Sequence, residues 1–334
     1  GVCHSDIHMH DGVFDLGHQK QLEVGRPGMV LGHEIFGEVV AVGPESEGAA
    51  IGDRRVVYPW IGCGECASCL RGDENLCTPG RALGIAAKGG FAEYVSVPHS
   101  RYLFDKGDVS DSLAATYACS GLTAYSALNK LGEVGKGDEV VIIGAGGVGM
   151  MAIQIALSKG LDPIVVDIDE AKLASAKELG VTRTFNSSDP QSGKEIRKST
   201  GGAYAVLDFV GAEASVNYGL GCLRKGGMII IIGLYGGSLN IPIPFLPMNA
   251  RIIQGSYVGT LKDMGELERA YPHTHIKTTR NKTIKCHRQR CRNSHNHRRC
   301  SRSYPLRDRR RRCWRRLHHK KRKREKKREK ERKR

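Results

Sequence analysis

The last 64 residues of this chain contain no glycine, alanine, valine, phenylalanine or methionine, whereas the first 270 contain all 42 glycines. The segment 271–334 carries 29 Lys and Arg against 4 Asp and Glu, a net charge of +25, while residues 1–270 carry a net charge of −8. Such a tail cannot bury enough apolar surface to offset the entropy of ordering it. We therefore expect residues 271–334 to be disordered, and we consider the two parts of the chain separately.

Targeting and membrane segments are also lacking. The opening residues, GVCHSDIHMHDG, contain no apolar core of a secretory signal. The longest apolar run, 140–157, is interrupted by Gln154 and has four glycines in its first ten residues, which argues against a membrane helix. Seven cysteines precede residue 271, four of them within fifteen residues, which favours thiolates on a metal over a disulfide framework. A cytoplasmic protein with no membrane partner is expected.

Two kinds of organisation follow one another along the chain. Residues 1–120 contain short β-rich runs at 37–43, 54–60 and 91–98 between Gly and Pro turns, which is typical of a small β-barrel-like domain. From about residue 121, apolar strands alternate with helices, the strands lying at 139–146, 163–168, 182–186, 205–211, 227–233 and 251–259. Apolar strands between helices indicate a parallel sheet covered on both faces, and six of them fit a doubly wound nucleotide-binding domain. The predicted fold class is α/β, with a last helix over 261–270.

The strongest chemical signal is the spacing Cys63-x2-Cys66-x2-Cys69-x7-Cys77. Four thiolates closing on one ion give a tetrahedral zinc site with no open position. A site of this kind is structural, and here it would stabilise a lobe over about residues 62–80 that has no core of its own. Free or disulfide-linked cysteines are the alternative.

A glycine-rich turn, GAGGVG, provides the second signal. Gly144, Gly146 and Gly149 follow a predicted strand and open a predicted helix, and Asp167 ends the next strand. In that setting the glycines permit a tight turn, close approach of a pyrophosphate and packing of helix on strand. The Asp167 carboxylate would accept bonds from ribose hydroxyls and repel a 2′-phosphate, which favours NAD over NADP. A glycine-rich turn without a ligand is the alternative.

Three scattered residues form the weakest signal: Cys3 in GVCHSD, His33 in LGHE and Cys119 in YACSG. Two thiolates and one imidazole would make a three-ligand zinc site with an open fourth position, as catalysis requires. Spacing alone does not bring the three together. A small core thiol and a histidine with ordinary polar partners are the alternative interpretation.

Taken in order, CHSDIHMHDG, GHE, the four-cysteine loop, YACSGLTAY and GAGGVG with Asp167 resemble the zinc-dependent medium-chain alcohol dehydrogenases over about residues 1–270. The resemblance implies a GroES-like catalytic domain over 1–120 and a Rossmann NAD-binding domain over 121–270. It also implies NAD and two Zn²⁺ per subunit, a homo-oligomer (dimer or tetramer), and reversible oxidation of small primary or secondary alcohols to aldehydes or ketones. A polyol or amino-alcohol dehydrogenase of the same superfamily is the alternative.

The same resemblance implies roles for single residues. Three would ligate the catalytic zinc: Cys3, His33 and Cys119. Four would act around it, Ser5 and His8 as a proton relay, Asp6 on the zinc-bound imidazole and Glu34 near the metal. The cofactor would contact His4, Gly144, Gly146, Gly147, Val148, Gly149, Asp167 and Lys172. Two aromatic residues, Phe14 and Trp60, would line the substrate pocket.

The family pattern also includes strands before Gly1 and a return to the catalytic domain after Ala270, and this sequence shows neither. The tail resembles translation in another reading frame, so we expect the chain as given to be weakly active or inactive. A native basic arm that binds nucleic acid by counterion release is the rival interpretation. The spacings of the four tail cysteines do not fit a zinc finger; these are Cys286, Cys291, Cys300 and Cys313.

Overall fold

The structure of the chain, a computed structural model, describes residues 1–135 and 137–271. The predictions made for residues 272–334, including disorder, the changed reading frame and nucleic-acid binding, lie outside the described residues. Tyr271, the first residue of the predicted tail, is packed: its ring lies 6.4 Å from that of Tyr125, and its hydroxyl lies 2.8 Å from Ser158 Oγ.

The first half of the described chain is built from short elements. Helix α1 (His4–Asp11) is followed by the antiparallel hairpin β1 (Val13–Asp15) and β2 (Gln21–Glu23). A three-stranded antiparallel sheet follows, with β3 (Ile35–Glu38), β4 (Arg54–Val57) and β5 (Leu103–Phe104) in that order. Helix α2 (Ala67–Leu70) and two 3₁₀ turns, Glu74–Leu76 and Ser100–Tyr102, lie between β4 and β5.

The strands predicted in this half are too long, and one is wrong. The runs 37–43 and 54–60 form strand only at their N-terminal ends, as parts of β3 and β4, and the run 91–98 forms no strand. A strand needs a hydrogen-bonded neighbour. Only the N–H groups of residues 89–91 find one, in the carbonyls of residues 30–32, so the β-rich composition of 91–98 has no ladder to join.

A buried helical connection leads from the first half to the second. It comprises α3 (Asp111–Thr116), a π-helical turn (Tyr117–Gly121) and α4 (Leu122–Asn129). Of the eight residues of α4, the seven from Leu122 to Leu128 are buried. Single π turns inside helices occur often at functional sites because they redirect a side chain without ending the helix. The turn in this protein carries Cys119.

The second half is a doubly wound sheet with helices on both sides. Its elements in chain order are β6 (Val140–Ile143), α5 (Gly147–Ser158), β7 (Ile164–Asp167), α6 (Glu170–Glu178), β8 (Arg183–Asn186), α7 (Ser192–Thr200), β9 (Ala203–Asp208), α8 (Glu213–Cys222), β10 (Leu223–Ile231), α9 (Phe245–Asn249), β11 (Ile252–Gly255) and α10 (Leu261–Ala270). The order across the sheet is β11-β10-β9-β6-β7-β8, and every neighbouring pair is parallel. The predicted α/β class and Rossmann sheet are confirmed. The strand order reverses between β6 and β9, where ligands bind in sheets of this type.

The apolar run 140–157 contains strand β6 before the GAGGVG turn and most of helix α5 after it, and most of its side chains are buried. Among the described residues, every helix falls short of the length or the hydropathy that crossing a bilayer demands. The domain boundaries at 120 and 270 stay predictions. The helical connection extends on both sides of residue 120, so it belongs to neither half alone.

Candidate active site

Cys3, His33 and Cys119 converge from three distant parts of the chain. Cys3 caps the N-terminus of α1, His33 lies just before β3, and Cys119 lies in the π turn. Their ligand atoms all lie within 4.8 Å of one another, and the two sulfurs are 3.7 Å apart. In a tetrahedral zinc site with Zn–S bonds of about 2.3 Å, two sulfurs lie about 3.8 Å apart. The spacing of these side chains therefore fits one zinc ion.

A buried carboxylate holds the histidine in place. Asp6 accepts hydrogen bonds from His33 Nδ1 at 3.1 Å, from the Gly32 amide at 3.1 Å and from the Cys3 amide at 2.9 Å. Since Nδ1 donates to Asp6, Nε2 is the ring atom directed toward the two sulfurs. That Nε2 is buried without a hydrogen-bond partner among the described residues, which is rare for a buried polar atom unless a metal or water meets it.

The cluster stabilises negative charge on Cys3 and positive charge on His33. A hydrogen bond from Cys119 lowers the pKa of the Cys3 thiol to about 4, although burial acts in the opposite direction. The same bond raises the pKa of Cys119. Burial by itself would lower the pKa of His33, but Asp6 and Cys3 outweigh it and raise that pKa to about 10. A divalent ion that binds to the two sulfurs and to His33 would displace the protons held by Cys119 and His33.

Glu34 lies beside the cluster. It is buried, its Oε1 accepts a hydrogen bond from Ser120 Oγ at 3.0 Å, and burial followed by the charge of Cys3 raises its pKa. The structure therefore brings a carboxylate next to the π turn that carries Cys119. Spacing along the chain gave no sign of this contact, because the two residues are 86 positions apart.

The four cysteines of the lobe form a second cluster. Their sulfurs also lie within 4.8 Å of one another, with separations of 3.6 Å for Cys66–Cys69, 3.8 Å for Cys66–Cys77 and 3.9 Å for Cys63–Cys69. A disulfide requires about 2.05 Å, and all seven described cysteines are free thiols, so the disulfide alternative is wrong for them. The amides of Glu65 and Cys66 lower the pKa of Cys63 to about 7. The separations again match the edge of a zinc tetrahedron.

Helix α1 presents several predicted residues next to the three-ligand cluster. Ser5 lies two residues after Cys3, and its amide donates to the Cys3 sulfur. His8 lies one turn further along the helix, with its ring 4.9 Å from that of His4 and 4.6 Å from that of Phe14. The His4 side chain is exposed, and those of Ser5, His8 and Phe14 are half-buried. Ser5 and His8 are three positions apart and therefore share one face of α1.

Two aromatic side chains, Trp60 and Tyr257, lie beside the cluster, and we call them its aromatic wall. Trp60 is buried, its ring lies 5.4 Å from that of His33, and its Nε1 donates to the Ala118 carbonyl at 2.9 Å. Tyr257 packs edge-on against Trp60 with a ring separation of 5.7 Å, and burial followed by the charge of Cys119 raises its pKa. Sequence reasoning missed Tyr257, because nothing in RIIQGSYVG shows that the residues after β11 return to the cysteine cluster.

The glycine turn has the geometry of a dinucleotide site. Gly144 has φ +94°, and a Cβ on Gly149 would lie 1.7 Å from the Gly144 carbonyl oxygen, so both positions require glycine. A Cβ on Gly146 or Gly147 would meet nothing within 4 Å, which leaves open space in front of the first amides of α5. Val148 follows in the first turn of that helix. Amides at a helix N-terminus attract phosphate, so this turn fits a pyrophosphate.

Asp167 ends β7 beside that turn, as predicted. It is buried, and it accepts hydrogen bonds from the Ala145 amide at 2.8 Å and the Asp169 amide at 3.0 Å. Lys172 Nζ lies 3.3 Å from it. These contacts hold the carboxylate at the carboxyl edge of the sheet, where Rossmann folds bind ribose.

Comparison with known proteins agrees with this arrangement. Residues 1–108 match the model of the alcohol dehydrogenase GroES-like domain, and residues 147–271 match that of the zinc-binding dehydrogenases. An NAD-dependent alcohol dehydrogenase of Sulfurisphaera tokodaii is 41% identical over 268 residues, which cover 79% of this chain and 77% of that protein. Another from Saccharolobus solfataricus is 37% identical over 290 residues, covering 85% of this chain and 83% of that protein.

Solved structures give the same result. The crystal structure of an NAD-dependent alcohol dehydrogenase superposes with a TM-score of 0.71 at 33% identity, covering 80% of this chain and 77% of that one. Acetophenone reductase from Geotrichum candidum, in complex with NAD, superposes with a TM-score of 0.69 at 29% identity, covering 80% and 75%. The predicted family is confirmed: the chain belongs to the zinc-dependent medium-chain alcohol dehydrogenases.

Proposed function

We propose that this chain is a zinc- and NAD-dependent alcohol dehydrogenase that oxidises small primary or secondary alcohols. The observation that carries the proposal is the three-ligand cluster, in which the unpartnered His33 Nε2 faces two sulfurs 3.7 Å apart. Three protein ligands leave one coordination position for a substrate, unlike the four-cysteine set. The cluster lies next to the helix that carries Ser5 and His8.

When bound, zinc supplies a Lewis acid and NAD supplies a hydride acceptor, which are the two functions that oxidation of an alcohol requires. The protein provides position and proton transfer. Asp6 fixes the His33 ring through a 3.1 Å contact with Nδ1. We infer that the Ser5 hydroxyl accepts the alcohol proton while it releases its own, and that the His8 imidazole, on the same face of α1, passes the released proton to water.

We infer two zinc ions per subunit. The two sets of ligands share no residue, and sulfur–sulfur separations in both fit zinc. In the lobe all four positions of a tetrahedron are supplied by cysteine, so that ion would contribute to folding and not to chemistry. Trp60 packs on His33 and Tyr257 packs on Trp60, and these aromatic rings beside the cluster favour a small substrate.

NAD is proposed to bind across the carboxyl edge of the sheet. The glycine turn and the N-terminus of α5 would hold its pyrophosphate, and Asp167 would accept bonds from the adenosine ribose. Lys172, 3.3 Å from Asp167, and the exposed His4 would contact the same cofactor. A carboxylate at this position repels a 2′-phosphate, which supports a preference for NAD over NADP.

We propose that the chain forms a homo-oligomer through the edge of this sheet. Strand β11 pairs only with β10 among the described strands, so its outer edge is open. Next to it, Ile243, Met248 and Ile252 are 81%, 73% and 47% exposed. An open strand edge with adjacent apolar side chains is typical of pairing with a second copy. Light scattering would test this, because Ile243→Lys with Met248→Glu should yield a monomer.

One experiment on the purified chain tests the enzymatic proposal. We expect two equivalents of zinc by elemental analysis, saturable binding of NADH, and slow NAD-dependent oxidation of small alcohols, in line with the weak activity that the sequence predicts. Cys119→Ala should lose one zinc and the turnover, whereas Cys222→Ala, which removes a buried thiol outside both clusters, should keep both. A Cys119→Ala variant that retained two zinc ions and full activity would overturn the assignment. Faster turnover of polyols or amino alcohols than of small alcohols would mean that the chain is a polyol or amino-alcohol dehydrogenase.

A further inference from the structure

The loop between the third and fourth cysteines of the lobe reaches across to the Rossmann half. Asn75 lies in this loop, and its Nδ2 donates a hydrogen bond of 2.8 Å to the main-chain carbonyl of Tyr257, 182 positions later. The other amide atom, Oδ1, is buried without a hydrogen-bond partner among the described residues. The hydrogen bond from Nδ2 is therefore the polar contact that the Asn75 side chain makes. A side chain without a hydrogen-bond donor could not form it.

The neighbouring residue, Glu74, holds the same region by a second route. Glu74 is buried, and its Oε2 accepts hydrogen bonds from Tyr102 Oη at 2.6 Å and from the Gly62 amide at 3.2 Å. The Tyr102 ring stacks on that of Tyr58 at 6.1 Å, and the Tyr58 hydroxyl donates to the Gly259 carbonyl at 2.9 Å. The segment 257–259 is thus held at both ends by residues packed on the lobe.

The segment between those two anchors has an unfavourable backbone conformation. Val258 has φ +44°, in the left-handed region that β-branched residues avoid, and it is buried. Such a conformation persists only where its surroundings determine it. On one side, the Ser256 amide donates to the Ile231 carbonyl at 3.0 Å. On the other, Gly259 lies so close to Leu122 that a Cβ there would be 2.7 Å from the leucine Cδ1.

The position of this segment determines the position of the Tyr257 ring. That ring packs edge-on against Trp60, which in turn packs on His33 and donates to the Ala118 carbonyl next to Cys119. Loss of the Asn75 hydrogen bond would free the Tyr257 carbonyl and allow Val258 to relax. The Tyr257 ring would then lose its fixed place against Trp60, and the space beside the three-ligand cluster would widen.

We propose that Asn75 is a positioning residue for the alcohol pocket. It acts through the Tyr257 main chain, so that a residue of the four-cysteine lobe sets the size of substrate that the three-ligand site accepts. In this proposal the Tyr257 ring, packed against Trp60, borders the substrate, and Asn75 acts only through the Tyr257 carbonyl. The inference rests on the proposed alcohol dehydrogenase activity.

The test compares Asn75→Asp with Tyr257→Ala and with the double variant. Aspartate has the size of asparagine but cannot donate to a carbonyl. The measured quantity is the ratio of kcat/KM for a branched secondary alcohol to kcat/KM for ethanol, in which any loss of folded protein cancels. We expect Asn75→Asp to raise this ratio about threefold to tenfold, a range set by the loss of one aromatic contact. The double variant should not exceed Tyr257→Ala, because both changes act on the same ring.

The matched control is Asn249→Asp, which removes another 2.8 Å bond from an asparagine amide to a backbone carbonyl, that of Phe245. Its ratio should equal that of the unmodified chain. A second readout needs no turnover: in a Trp314→Phe background, acrylamide should quench Trp60 more strongly in Asn75→Asp and in Tyr257→Ala than in the control. Zinc content should stay unchanged in all three single variants.

The outcomes separate this inference from the proposed function. If the unmodified chain binds neither NADH nor zinc at the three-ligand cluster, the proposed function fails, and the quenching experiment still decides whether Asn75 positions the ring. If it oxidises alcohols and Asn75→Asp leaves both the ratio and the quenching unchanged, Asn75 does not position Tyr257. Additive effects of Asn75→Asp and Tyr257→Ala on the ratio would also overturn the inference, since they would mean that Asn75 acts elsewhere.

Discussion

Replacing Asp6 with asparagine should weaken zinc binding at the three-ligand site and leave the four-cysteine site intact. The Asp6 carboxylate is buried and accepts three hydrogen bonds, from His33 Nδ1 and the Gly32 amide at Oδ1 and from the Cys3 amide at Oδ2. Asparagine keeps the shape of the side chain but has one acceptor oxygen. If that oxygen stays with His33 and Gly32, its NH₂ group faces the Cys3 amide, and two donors meet.

The expected magnitude follows from these contacts. A buried donor left without an acceptor costs about 1–3 kcal/mol of folding free energy. Removing the residue that orients a metal-bound histidine lowers metal affinity about 10- to 100-fold, which corresponds to about 1.4–2.8 kcal/mol. The loss should fall on this site alone, because the four lobe sulfurs make no contact with Asp6.

The assay is a chelator titration with a zinc-sensitive dye, which should resolve one weak and one tight zinc ion in Asp6→Asn. Asp208→Asn is the matched control. Asp208 is equally buried and also accepts three hydrogen bonds, from Val210, Gly211 and Ser215, but it lies in the Rossmann sheet. Equal weakening of zinc in the two variants would mean that general destabilisation causes the effect, and unchanged affinity in Asp6→Asn would refute the orienting role.

Four further outcomes are expected. Cys66→Ser should remove one zinc and lower the thermal midpoint before it alters kcat, and a variant of normal stability that lost only turnover would contradict this. Asp167→Ser should reduce the ratio of kcat/KM with NAD to kcat/KM with NADP. The proposed role of Asp167 would be refuted if the unmodified chain favoured NADP. Trp60→Ala should shift the preference in kcat/KM toward bulkier alcohols by about 1–3 kcal/mol, and an unchanged preference would show that the ring lies outside the pocket. Burial raises the pKa of Cys222 to about 11, so at pH 8 about one in a thousand of these thiols is ionised. Iodoacetamide should therefore spare Cys222 in the folded chain and modify it faster as the pH approaches that pKa, as peptide mass mapping would report.

Much of the fold follows from local sequence patterns. The six strands of the Rossmann sheet are continuous apolar runs between helical segments, and each was expected within a few residues of its observed place. GAGGVG identifies its own turn because steric limits at Gly144 and Gly149 admit no other residue. The four cysteines of the lobe lie within fifteen residues, so their convergence needs only a short loop. In each case the information is local, and the physical reason is visible in the sequence.

What could not be predicted depends on contacts between distant segments. A β-rich composition at 91–98 did not produce a strand, because strand formation depends on a partner that composition does not specify. Cys3 and Cys119 are 116 positions apart, and only the resemblance to a known family connected them. Tyr257 belongs to a segment with no motif, and Asn75 lies inside the four-cysteine motif at a position that the motif does not specify, so neither residue was expected near the site. Their roles depend on a carbonyl and on a backbone angle, which side-chain patterns do not report.

The placement of the ligands explains why the site needs both halves of the chain. Cys3 and His33 come from the first half, where Asp6 links them. Cys119 lies in the buried helical connection, which packs against the Rossmann half through α5 and α10. The opposing wall, Tyr257, comes from the end of β11, beyond the whole Rossmann sheet. A zinc ion in this cluster would tie the start of the chain to the connection between the halves, whereas the wall is held by the lobe. The main chain around Tyr257 is held by hydrogen bonds from Asn75 and Tyr58, and neither of these is a ligand residue, so we expect a change at Asn75 to alter the accepted substrate size and to leave the zinc content unchanged.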